Sequence, residues 1–185
     1  MAYTDPERIA VDVLQRSGAP RLTNQIAIDV EAILRRRYDV DVARVPNLLF
    51  GGQKLAGMYS PAHLVVVIEA TDIFPRQRFT MAHELGHIEI HHKAPAMQSL
   101  FELKPEVASY RCTDKDLEGA AEDARRRLRE TIANKFAAAV LMPPGLVREI
   151  WSKRKDVSRC AEDLVVSAQA LAIRLNQLRI MKLNK

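Results

Sequence analysis

The sequence predicts an α+β domain, mostly helical, with a small antiparallel or mixed sheet of about three strands. Three observations carry that expectation. Apolar residues recur at helical spacing near both ends of the chain, β-branched residues concentrate between residues 40 and 68, and a helical segment bearing paired histidines follows them directly.

The elements follow in order. Thr4 and Glu7 are spaced as a capping box with Pro6 in the first turn, and Ile9, Val13 and Leu14 form one apolar stripe. Gly18 and Pro20 end that helix. A second helix is expected from Thr23 or Asn24, striped by Ile26, Val30, Ile33 and Leu34, with Arg35–Arg37 at its end where positive charge suits the dipole. Val40 and Val42 alternate with aspartates as a short strand does. Gly51-Gly52-Gln53 reads as a turn, Lys54–Tyr59 as a strand, and Leu64–Ile68, rich in β-branched residues, as another. A helix should then run from about Arg76 to His92.

Residues 93–117 read as a loop with a helical turn near Met97–Glu102, and loops of that length tend to be functional lids or disordered. A long helix from about Leu117 to Leu141 stops at Pro143-Pro144. Three short helices complete the chain: one opened by Pro144, one at Val157–Leu164, and one capped by Ser167 and striped by Leu171, Leu175 and Leu178. The division expected is a first domain at 1–142 and a C-terminal helical segment at 143–185, resembling a helix-turn-helix and packed on it.

The chemistry centres on His83-Glu84-Leu85-Gly86-His87. On an α-helix the two histidines lie about 40° apart around the axis and one turn apart along it, so both imidazoles can grip one Zn²⁺. Glu84, between them, is placed to take a proton from a water that the metal activates. A strand followed by such a helix is the arrangement of zinc peptidases, so the expected fold is zincin-like. The bland alternative is a surface helix with two incidental histidines.

Catalytic zinc needs three protein ligands and one open position. The long helix offers Glu118, Glu122, Asp123 and Glu130, and spacing alone does not choose among them. Glu130 is favoured because Ala133, Ala137 and Leu141 follow it as a mostly small-residue face able to approach the metal helix closely. Its alternative role is an intrahelical ion pair with Arg126 or Arg127.

Two blocks together, Arg78-Phe79-Thr80-Met81-Ala82-His83-Glu84-Leu85-Gly86-His87 and Glu130-x-x-Ala133-Asn134-x-Phe136-Ala137-Ala138 closing with Leu141-Met142-Pro143, resemble the ImmA/IrrE-type zinc metallopeptidases. The tail is similar too, in Val166-Ser167-x-x-Ala170-Leu171 and Arg174-Leu175-x-x-Leu178. The resemblance covers roughly Lys54 to the end. It implies one zinc ion per chain, His83, His87 and Glu130 as ligands, and Glu84 as the catalytic acid. It further implies a cytoplasmic bacterial or phage protein that cleaves or otherwise inactivates a helix-turn-helix repressor, releasing stress-response, DNA-repair or mobile-element genes. The repressor partner is expected on a separate chain, with any association with DNA indirect. The interval between His87 and Glu130 is long for the family, and the excess falls in residues 93–117.

A peptidase needs a donor for the oxygen that gains charge during attack. Tyr59, Tyr110, His91 and His92 are candidates, and nothing in the sequence selects one. His91 lies about 12 Å along the helix from His83, too far to share one ion. A substrate backbone would pair with an exposed strand edge, for which Lys54–Tyr59 is the expectation. Cys112 could occupy the open metal position as a latency switch, or serve merely as a small apolar side chain.

Composition narrows the field. Of 185 residues, 48% are apolar, enough to bury a core without disulfides, and the two cysteines, Cys112 and Cys160, suit a reducing compartment. The N-terminus shows neither a basic nor an apolar leader, and no apolar run is long enough to cross a bilayer. The net charge of +5 is concentrated in three basic runs that read as solvated helix faces, or as an affinity for a partner held on nucleic acid. Functions outside peptidase chemistry are a regulatory binding protein with structural zinc, or a member of a toxin–antitoxin pair.

Overall fold

The computed structural model describes residues 5–92, 110–113 and 120–181, and for residues 91–92, 110–113 and 120–125 the backbone alone. The expected turn at Met97–Glu102 lies outside them. Helix α1 (Pro6–Ser17) is capped by Asp5, whose carboxylate accepts from the Glu7 amide at 3.0 Å, and ends at Gly18 in the left-handed region. The cap is therefore Asp5, where the sequence pointed to Thr4. Helix α2 (Val30–Tyr38) also starts later than expected. Asn24 adopts a φ of 58°, which no helix start can use, and the chain turns back until Asp29 caps α2 by accepting from the Ala32 amide at 2.9 Å.

The sheet is mixed and larger than expected. Strand β1 (Asp41–Val45) runs parallel to β4 (Val65–Glu69), and β3 (Gln53–Ser60) runs antiparallel to β4. Strand β2 (Leu49–Phe50) forms a hairpin with β3 through Gly51 and Gly52, whose φ of 58° and 80° supply the two left-handed positions of a type I′ turn. The fifth strand, β5 (Tyr110–Thr113), falls where a loop was expected and lies antiparallel to β3. Met58 and Tyr59 pair with both β4 and β5, so those strands hold opposite edges of β3.

Leu55 and Tyr59 on β3 and Val66 and Ile68 on β4 turn one apolar face inward, onto α3 (Phe74–His87). The approach is close: a Cβ at Gly57 would stand 2.4 Å from Thr80 Cγ2, so only glycine fits there. Every residue from Thr80 to Ile88 is buried, and α3 is thus a central helix and not a surface one. A π turn over Ile88–His92 extends it in place of the regular helix expected to His92.

Helix α4 (Ala120–Leu141) packs across α3. The contact is made by small residues, with Ala133 and Ala137 fully buried and a Cβ at Gly86 only 2.9 Å from the Phe136 ring. Helices α5 (Pro144–Arg154), α6 (Val157–Leu164) and α7 (Ala168–Gln177) follow, α7 capped by Ser167 as expected. Leu146, Ile150, Leu164, Leu171 and Leu175 belong to the same apolar core as α1 to α4.

Two buried arginines join distant parts of that core. Arg78 Nη1 donates to the Leu164 and Val165 carbonyls at the end of α6, and its Nη2 to the Ile28 carbonyl. Arg174 on α7 donates to the Met142 carbonyl at 3.0 Å and to both oxygens of Glu7 on α1. At the C-terminal end of β4 Glu69 accepts from the amides of Asn47, Leu48 and Thr71 and from the Thr71 hydroxyl, which fixes the turn before β2.

Candidate metal centre

Helices α3 and α4 bring His83, His87 and Glu130 to one point. Their nearest ligand atoms all lie within 4.8 Å of one another. His83 Nε2 stands 3.0 Å from Glu130 Oε2, His87 Nε2 stands 3.6 Å from Glu130 Oε1, and the two Nε2 atoms are 2.9 Å apart. One helical turn separates the histidines and their rings meet edge to face, so two nitrogens and a carboxylate aim at a shared centre. The small-residue contact of α3 with α4 is what allows the carboxylate to reach across.

Asn134 completes the arrangement, and the sequence reading missed it. Its Oδ1 accepts from His83 Nδ1 at 2.8 Å, which leaves the Nε2 lone pair facing the centre. The signal was present in the spacing: Asn134 follows Glu130 by one helical turn and so shares its face.

The site is buried at its base and open on one side. His83 and His87 are buried, as is Glu84, while Glu130 is about 30% exposed. Burial pushes His87 down to about 4, against the opposing pull of Glu130. Burial acts on His83 in the same sense, but its hydrogen bond to Glu130 and the surrounding carboxylates outweigh it and raise its pKa. Glu130 is desolvated, yet its bonds to the two imidazoles hold it well below the usual carboxylate range. On the open side lies a cavity of about 880 Å³ bordered by Ala56, Thr80, His83, Glu130, Asn134 and Met142.

Two imidazoles and a carboxylate, with one imidazole oriented by an amide, are a donor set suited to a divalent metal that prefers nitrogen and oxygen ligands. Of the other expected contacts, Tyr59 is 5% exposed in the core and burial raises its pKa. Tyr110 and Cys112 lie on β5 and His91 and His92 on the π turn, where only the backbone is described. Glu118 falls outside the described residues, as do the side chains of Glu122 and Asp123.

Fold and site together define a class, an α+β domain that gathers a His-His-Glu trio able to hold a metal between a central helix and the long helix beside it. The chain belongs to the peptidase family described as the IrrE N-terminal-like domain, whose family model matches residues 35–176. It is 28% identical over 167 residues to the radiation response metalloprotease IrrE of Deinococcus radiodurans, covering 88% of this chain and 45% of the relative. The protein of the same description from Deinococcus deserti is 28% identical over 116 residues, covering 63% and 36% respectively. In fold the chain is similar to a Mycobacterium tuberculosis transcriptional regulator, with a TM-score of 0.66 at 20% identity over 93% of this chain and 55% of that one. The chain thus spans less than half the length of the curated relatives it matches. Among the described residues no helix is long and apolar enough to cross a membrane.

Proposed function

We propose that this chain is a zinc-dependent endopeptidase whose substrate is a helix-turn-helix transcriptional repressor on a separate chain. The observation that carries the chemistry is the convergence of His83, His87 and Glu130 beside a fully buried Glu84. His83 and His87 would hold the metal through Nε2 and Glu130 through its carboxylate. A bound zinc ion supplies Lewis acidity toward a water and a peptide carbonyl. Glu84 accepts the proton released by the attacking water and returns it to the departing amine. Asn134 holds the His83 ring in place, and the burial of His83, Glu84 and His87 keeps these interactions strong. Support for a regulatory substrate comes from the IrrE relatives, described as radiation response metalloproteases, and from the resemblance in both sequence blocks.

The test is incubation of the purified chain with helix-turn-helix repressors from the same genome, with and without a chelator, followed by mass determination of the fragments. Cleavage is expected only in the metal-loaded sample. Glu84→Gln should keep the metal and lose cleavage. Unchanged derepression in cells carrying that variant would replace the enzyme with a protein acting by binding.

A further inference from the structure

Strand β3 presents two edges, and one of them borders the metal centre. Its Gly57–Ser60 segment is taken by β4. The opposite edge passes the cavity, where Ala56 shares the lining with Thr80, His83 and Glu130. Gly57 is pressed against Thr80, which lies one turn before His83 on α3. A backbone laid along this edge therefore runs past the trio. Main-chain pairing of that kind accepts an extended peptide with little regard to its sequence.

In this structure the edge carries the chain's own segment Tyr110–Thr113, with Leu55 opposite Thr113, Met58 opposite Arg111 and Tyr59 opposite Tyr110. The pairing is short and interrupted. From Leu55 to Met58 the register slips, so the ladder breaks opposite Ala56 and Gly57, the stretch of β3 beside the cavity. A four-residue strand offers few backbone pairs, and the bulge leaves one residue of β3 without a partner in the ladder.

We infer that Tyr110–Thr113 occupies the Leu55–Tyr59 edge of β3 in cis, as a competitor of the extended substrate segment expected to pair there. The substrate part of this inference rests on the peptidase reading above. One edge cannot pair two strands, so β5 leaves before a substrate backbone enters. An edge open in about one molecule in ten weakens the apparent affinity for a peptide about tenfold. Whatever draws β5 away raises activity by the same factor without touching a metal ligand.

The experiment uses a synthetic peptide copying residues 107–116, with serine at the cysteine position, added to the native chain and followed by amide hydrogen exchange. A swap is expected: exchange at Tyr110–Thr113 accelerates while Leu55–Tyr59 stays protected, with or without chelator. Excess peptide that leaves exchange at Tyr110–Thr113 unchanged overturns the inference. Successive strand amides point to opposite sides, so one of Arg111→Pro and Cys112→Pro removes an amide facing β3. That variant should bind the peptide about tenfold more tightly than the native chain and, zinc-loaded, cleave denatured casein several times faster. Equal peptide affinity in both variants and the native chain also overturns it. A swap in a chain that, zinc-loaded, cuts neither casein nor a helix-turn-helix repressor retains the strip for binding and removes the peptidase reading.

Discussion

Asn134 meets His83 at 2.8 Å, and that contact selects which imidazole nitrogen remains to bind a metal. Removing it should loosen metal binding without emptying the core, because Asn134 lies at the cavity wall. Asn134→Ala is expected to lower metal affinity by roughly 10- to 100-fold, measured by competition with a chromophoric chelator, and Asn134→Asp to restore most of the loss. Equal affinity in Asn134→Ala would remove the orienting role. Glu69 makes a second prediction at this scale. Its four hydrogen bonds favour the charged form and hold its pKa at about 2. A carboxylate depressed in the folded state stabilises fully above its unfolded value of about 4.5, and that contribution fades as pH falls toward about 2. The native chain should therefore lose stability between pH 4.5 and 2 more steeply than Glu69→Gln in acid titrations followed by circular dichroism.

At the scale of elements, the contact of α3 with α4 sets the distance from the carboxylate to the imidazoles. Gly86 makes the approach possible, since a Cβ there would meet the Phe136 ring at 2.9 Å. Gly86→Ala gains up to about 1 kcal/mol in helix propensity. Overpacking against a buried ring costs about 1–3 kcal/mol, so the variant should melt at a lower temperature and bind metal more weakly. A rise in melting temperature would refute the close-contact account. Much of this was legible beforehand: the strand before the metal helix, the small-residue face after Glu130 and the tail helix at Val157–Leu164 are local patterns. What escaped was non-local. Tyr110–Thr113 carries a weak strand pattern of its own and pairs because β3 offers an edge. The start of α2 depended on a left-handed Asn24, which no periodicity reveals. Asn134 sat in plain view, but its role needed the position of a ring on another helix.

Across the whole molecule, buried arginines do what apolar contacts alone do not specify. Arg174 is nearly inaccessible, whereas its partner Glu7 is about 39% exposed. That asymmetry gives a signed prediction for urea unfolding. Glu7→Ala leaves a buried charge without its counter-ion and should cost roughly 3 kcal/mol. Arg174→Met removes the charge and fills the space, and should cost less. The reverse order would show that the pair stabilises through Arg174's bond to the Met142 carbonyl instead.

Arg78 sits on the same helix as His83 and His87, little more than one turn ahead of His83, and its guanidinium fastens the Ile28 carbonyl on one side and the Leu164 and Val165 carbonyls on the other. The helix that carries the imidazole pair is thereby tied to the turn before α2 and to the end of α6. A displacement of α6 would therefore be felt at His83 and His87 through one guanidinium, well away from the open side of the site.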